Sequence, residues 1–420
     1  MFITCKESRE ITPYLEAHKS QIERVLASRP QRDAMLGWFD VDTGCSQSDL
    51  ERIEHLATSV RQKAEILIVI GIGGSNRGAV AAIQALRRSI TSPVKVVFAG
   101  DTLSTTRLSD VLHLVRDHSV MLNVIAKDFN TVEPGITFRM LRQEMIRTYG
   151  KDYASRIIVT GSKGDGQLFD LARKHGYEFL DFPKEIGGRF SVLSNVGLFP
   201  MAVAGIDIKS MLDGARKMSE QIKKTPLETN AAVWYAVRRM VLLEQGFSIE
   251  SLVLFEPDLH AVSRWWIQLF AETEGKKDKV LFPVSFSYSE DLHAVGQFVQ
   301  QGPRTIVETF LDFSYSPSTM VIAQSTEVAD GFSYMDGRHF DELNRVVYNA
   351  ALNAHAHDGV PCIELNVEQP INEYSLGALF WFFMCCAYMG ATLLEVNPFN
   401  QDGVEAYKQH MYDNLGKFRQ

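Results

Sequence analysis

The densest chemical signal in the sequence is the loop GIGGSNRG at 71–78. It follows the apolar run ILIVI (66–70) and precedes an alanine-rich stretch, 79–86. A strand that feeds a helix through glycines lets the backbone approach an anion, and the helix N-terminus favours negative charge. Ser75 adds a hydroxyl donor inside the loop. The dinucleotide fingerprint G-x-G-x-x-G fails here, because Asn76 stands where its third glycine belongs. Asp101, after the next apolar run, keeps a nicotinamide-dependent oxidoreductase as a rival reading. A tight turn without a ligand is the plain alternative.

The surrounding pattern says how such a loop is carried. Apolar runs at 94–98, 120–125 and 156–160 follow the first, with helical patterns between them. Strands alternating with helices predict a parallel sheet covered on both faces. A second series follows a helical stretch at 206–246. It has strands at 252–255, 305–310, 319–323 and 362–367 and a helix at 259–270. No second GIGGS occurs, so any internal repeat is structural only. The expected organisation is a helical segment 1–56, a first α/β domain 57–205, linker helices with a second α/β domain 206–400, and a C-terminal helix 401–420.

Composition narrows the function. The chain has 420 residues and a formal net charge of -8, with no Lys/Arg run, which argues against nucleic acid as a partner. Five scattered cysteines (Cys5, Cys45, Cys362, Cys385, Cys386) form no C-x-x-C pair, which fits a reducing, cytoplasmic compartment and no structural zinc. No apolar signal region opens the sequence. Residues 376–394 carry no charge over 19 positions. They read as a helix buried inside the protein, not as a membrane span, since no Lys/Arg asymmetry flanks them. The expected class is α/β: two stacked, doubly wound parallel-sheet domains.

Several motifs in order carry a resemblance to one family. The loop 71–78, the stretch GGRFSVLSNVGLFP (187–200), ETEGK (272–276), DLHAVGQFVQ (291–300) and NPFNQDGVEAYK (397–408) resemble the glucose-6-phosphate isomerase family; MLGWFD (35–40) is a weaker match. The likeness runs over nearly the whole chain. It implies two sugar-isomerase (SIS-type) domains and a homodimer with shared active sites. The implied reaction opens a sugar ring and moves a proton between C2 and C1 through a cis-enediolate, with no cofactor and no metal.

The resemblance assigns roles by position. Glu272 is the expected base, with Glu274 a rival by sequence alone. A carboxylate suits proton shuttling if apolar neighbours raise its pKa, and Trp265, Trp266 and Phe270 share its predicted helix. Arg189 is expected to stabilise charge on the enediolate oxygens. His293, from the neighbouring subunit, and Lys408 would serve ring opening. Gly74, Ser75, Lys127, Thr131 and Gln401 would hold the anionic end of an acidic sugar.

One segment departs from the family. Its second phosphate loop is rich in Ser and Thr, yet residues 126–134 read AKDFNTVEP here. A lost donor to a charged group is worth roughly 1.5–3 kcal/mol. Asp128 would repel an anion at about 4 Å by on the order of 4 kcal/mol at an effective dielectric of 20. Arg77 could pair with Asp128 or supply a replacement cation; Asp128 could instead cap the following helix. A C6 sulfonate carries less charge than a phosphate. Relatives within the family it resembles convert sulfoquinovose to 6-deoxy-6-sulfofructose, so the resemblance, taken with the altered loop, puts that substrate narrowly ahead of glucose 6-phosphate as the expectation. A non-catalytic sugar sensor is the alternative of another class; it would need no base. A metal-dependent isomerase would need clustered ligands, and none stands out.

Overall fold

The computed structural model describes residues 3–6, 11–30, 35–127, 129–164, 166–314, 319–324 and 330–416, apart from the side chains at positions 5, 6 and 89. Two five-stranded sheets organise these residues. The first is built from β2 (Ile66–Ile70), β3 (Lys95–Ala99), β4 (Val120–Ala126), β5 (Ile157–Gly161) and β6 (Glu178–Asp181), counting β1 (Ile3–Lys6) as the first strand of the chain. Its order is β3-β2-β4-β5-β6, all parallel. Every residue of β2, β4 and β5 is buried, as expected of strands covered on both faces.

The second sheet uses β7 (Ile249–Leu254), β8 (Phe282–Ser287), β9 (Ile306–Phe313) and β10 (Cys362–Val367). Its order is β1-β10-β9-β7-β8, with β1 antiparallel on β10 and the rest parallel. In each sheet the founding strand, β2 or β7, has its successor on one side and the third strand on the other. The internal repeat is one of topology. This order puts the switch point of the first sheet between β2 and β4, where open α/β sheets bind ligands outside the strand carboxyl ends.

Three expectations change. The N-terminal segment is not wholly helical, because β1 closes the open edge of β10. Residues 319–323 do not form a strand. Val321 makes only an isolated bridge to His339, and Met320 and Val321 are 63% and 45% exposed, so no core rewards an extended run there. The short strands β6 and β8 were not anticipated. Separately, the helix Gln47–Lys63 runs through position 56.

The uncharged stretch is the helix Glu373–Leu393, with 89% of its apolar window buried inside the protein. Asn372 and Ser375 cap its start reciprocally at 2.8 and 3.0 Å. It packs along the helix Ile208–Lys224, where a Cβ on Gly377 would lie 1.8 Å from the Met211 carbonyl oxygen. One apolar core joins side chains of both sheets through this helix.

Candidate active site

The base-bearing element is the helix His260–Glu274, and it separates the two glutamates of ETEGK. A helix turns about 100° per residue, so positions 272 and 274 point roughly 200° apart. Glu274 faces inward. Its carboxylate takes a two-pronged hydrogen bond from Arg239 (2.7 and 2.8 Å), whose Nε also pairs with Glu250 at 2.5 Å. Tyr235 and Thr309 donate to Glu250 at 2.6 and 2.9 Å. Burial pulls the Arg239 pKa down, and the two carboxylates more than restore it. Glu274 is thereby a structural counter-charge.

Glu272 faces a cleft of about 560 Å³ between its own helix and the helix Gly74–Ala85. Gln268, one turn earlier, donates to Glu272 Oε1 at 2.9 Å. The Gln268 Oε1 atom is buried and has no partner among the described residues. The aromatic neighbours expected from the sequence lie elsewhere: Trp265, Trp266 and Phe270 are buried on the core face of the helix, and the apolar part of the cleft wall is Ile72, Val80, Phe98, Ala261 and Ile267. What sits behind Glu272 is a guanidinium. Arg189 Nε lies 3.2 Å from Glu272 Oε2.

Arg189 is 3% exposed, and its remaining donors all go to carbonyls. Nη1 donates to the Glu272 and Pro398 oxygens, the latter at 3.3 Å. Nη2 donates to Phe399 at 3.4 Å and Asn400 at 3.1 Å. With five N–H groups in the fork, none is left for an enediolate oxygen. In this structure Arg189 orients Glu272 and the 398–400 turn; it does not aim a free donor at the cleft. Lys276 donates to the next carbonyl upstream, Asn397. Two cations thus hold four consecutive carbonyls, 397–400, just before Gln401. Burial and the nearby Arg189 charge lower the Lys276 pKa to about 8, against Asp402 and Glu272. Lys276 lies inside a motif singled out above, but its type gave no hint of this neighbourhood.

The glycines of the first loop are there for close approach. Gly73 has φ +57°, and a Cβ on it would sit 2.9 Å from Gln268 Nε2. A Cβ on Gly74 would lie 2.0 Å from the Gly188 carbonyl oxygen. The loop is pressed between the base-bearing helix and the turn that carries Arg189. Gly74 therefore serves packing.

The other expected residues spread around this centre. Ser75 opens the helix after β2, and Thr131 precedes the helix Val132–Tyr149 after β4 without capping it. They flank the β2/β4 switch point. Lys127 also lies there, but its ammonium donates to the Lys184 and Ile186 carbonyls at 2.6 and 3.1 Å, and burial lowers its pKa. Asp128 falls outside the described residues, and so do its expected pairing with Arg77 and its capping role. Arg77 lines the cleft with Glu272. Burial and the adjacent Arg264 guanidinium lower its pKa, against Asp101 and Glu272.

His293 ends an exposed turn, Glu290–His293, after β8. Lys408 pairs with Glu405 at 2.6 Å, and that bond raises its pKa. No bond or shared cleft wall joins either residue to Glu272 among the described residues. Gln401 is exposed at the start of the C-terminal turn. Arg264, Gln268 and His260, all on the cleft wall, were missed. Their only sequence signal was helical spacing from Glu272. No group of three or more metal-ligating side chains is found among the described residues. A larger hollow of about 930 Å³ borders the 398–399 turn and holds none of the candidate residues.

A family model described as phosphoglucose isomerase matches residues 55–415. The glucose-6-phosphate isomerase of Caldanaerobacter subterraneus subsp. tengcongensis is 40% identical over 415 residues, covering 96% of this chain and 92% of that protein. The chain belongs to the phosphoglucose isomerase family. As a member of it, the protein is an aldose–ketose isomerase, an intramolecular oxidoreductase. The glucose-6-phosphate isomerase of Staphylococcus aureus strain NCTC 8325 is 39% identical over 386 residues, covering 91% of this chain and 87% of its own length. Among solved structures, a hypothetical protein of Thermus thermophilus superposes with a TM-score of 0.86 at 26% identity over 96% of both chains. A Chlamydia trachomatis glucose-6-phosphate isomerase gives 0.81 at 17% identity over 98% of this chain and 86% of that one, a likeness of fold. Phosphoglucose isomerase membership accounts for the paired α/β sheets.

Proposed function

We propose that this protein interconverts glucose 6-phosphate and fructose 6-phosphate, with Glu272 carrying the proton between C2 and C1. Glu272 takes the C2 proton of the open-chain aldose, and the electron pair forms the enediolate. The hydroxyl proton on O2 passes to O1, and the carboxylic acid returns its proton to C1 as C2 becomes the carbonyl, giving the ketose. Arg189, fixed behind the carboxylate, holds its orientation, and Gln268 steadies the other oxygen. The unpartnered Gln268 Oε1 can accept from a substrate hydroxyl. The C6 anion belongs at the β2/β4 crevice, near Ser75 and Thr131. The single observation supporting Glu272 is its position: it opens on the cleft while Glu274 is spent on Arg239.

The names of the curated relatives favour the phosphate sugar over the sulfosugar that residues 126–134 suggested. That suggestion leaned on the lost hydroxyl donors of 126–134 and on Asp128, which lies outside the described residues. A homodimer in which His293 serves the neighbouring subunit, and a cytoplasmic location, belong to the same proposal.

The test is turnover in D2O of glucose 6-phosphate and sulfoquinovose side by side, followed by NMR. The proposal expects fructose 6-phosphate with solvent deuterium incorporated and slower conversion of the sulfosugar. Faster sulfosugar turnover, or no deuterium exchange with either sugar, would overturn it.

A further inference from the structure

Two arginines in the cleft take no part in the isomerisation described above. Arg77 lies one turn into the helix Gly74–Ala85, and Arg264 lies two turns before Glu272 on the facing helix. Neither guanidinium makes a hydrogen bond or ion pair with a described residue. Among the described residues, Asp101 is the only acidic side chain on the cleft wall besides Glu272, and Glu272 already faces Arg189. Two like charges held on one concave wall repel, and an anion between them removes that cost.

We propose that Arg77 and Arg264 form an anion subsite beyond the reacting carbons, which takes the second phosphoryl group of a sugar phosphorylated at both ends. The proposal rests on the reading of Glu272 as the base. With C1 and C2 at Glu272 and the C6 anion at the β2/β4 crevice, the cleft continues from Glu272 on the other side. Arg264, Gln268 and Glu272 follow one another at i, i+4 and i+8, so they form one stripe along the wall. The stripe spans roughly 12 Å of helix axis. A substituent on C1 that enters it comes between Arg264 on this wall and Arg77 on the facing helix. A sugar whose C1 oxygen is esterified cannot form the aldehyde that the product needs. It binds as a dead-end competitor, and the subsite makes the enzyme sensitive to doubly phosphorylated sugars.

The experiment measures two ligands on the full chain, by calorimetry and as inhibitors: fructose 1,6-bisphosphate and sorbitol 6-phosphate, which lacks the C1 anion. The bisphosphate should bind about fivefold tighter, the upper end for one ion pair at a wet site. Arg264→Gln, at an exposed position with little folding risk, should erase most of that difference and move sorbitol 6-phosphate less than about twofold. Equal affinities in the natural protein, or an unchanged ratio in the variant, would overturn the subsite. Failure of the isomerase reading itself would appear separately, as absent turnover of glucose 6-phosphate without inhibitor.

Discussion

Replacing Arg189 by lysine keeps the positive charge and removes the fork. The guanidinium serves Glu272 Oε2 at 3.2 Å and carbonyls at 272, 398, 399 and 400. An ammonium has three donors at one point and reaches two or three of these acceptors. At least two charge-assisted bonds are therefore lost. At the low end of 1.5–3 kcal/mol each, because the surviving distances of 3.1–3.4 Å are long, the loss is about 3 kcal/mol. It falls on the two things Arg189 positions: the Glu272 carboxylate and the turn before Gln401. If most of it reaches the transition state, kcat/KM for glucose 6-phosphate drops about 100-fold, at 1.36 kcal/mol per factor of ten. Denaturant unfolding should show a loss of similar size. The assay couples fructose 6-phosphate formation to a reporter enzyme and compares it with guanidinium melts of both proteins. A variant within about threefold of the natural kcat/KM, with unchanged stability, would refute the positioning role.

Other perturbations separate structure from chemistry. Glu274→Gln weakens a buried ion cluster and should cost about 3 kcal/mol or more of stability in denaturant melts, with kcat of the folded fraction within a few-fold; a large kcat loss at full stability would reopen Glu274 as the base. Lys276 is held near pKa 8 by burial and by Arg189, so activity should fall on the alkaline side with an apparent pKa near 8. Lys276→Arg should carry that limb upward, and an unmoved limb would clear Lys276. The sign for stability is opposite: this lysine's pKa is depressed from 10.5, so its cost to the fold is present below about pH 8 and fades toward 10.5. Gly74→Ala sets a methyl 2.0 Å from the Gly188 oxygen; it should lower stability by about 1–3 kcal/mol and reduce activity, and a silent variant would show that the two loops can part freely.

The sequence carried the architecture further than the site's wiring. Strands β2 and β10 appear where ILIVI and CIELNV stand, because local apolar runs bounded by turns report burial directly. The run at 319–323 has the same local look and fails, since Met320 and Val321 meet no core. Glu272 and Glu274 cannot be told apart by spacing; the partner that decides, Arg239, is 35 positions away. The tryptophans before Glu272 suggested an apolar setting because sequence order ignores which face of a helix they occupy. Likewise, Arg189 was expected to offer free donors, yet the carbonyls that consume them belong to 272 and 398–400. Contacts between distant segments decide such questions, and single residue types do not encode them.

The most direct measurement is exchange of solvent deuterium into C1 and C2 of the hexose phosphate by Glu272→Gln, at protein concentrations high enough to read slow rates. The amide keeps the shape and the bond to Gln268 but cannot hold a proton between carbons. The account predicts exchange and turnover falling together by about 10³-fold, within the range for a lost general base, while the fold stays intact. Exchange within about tenfold of the natural protein would contradict it.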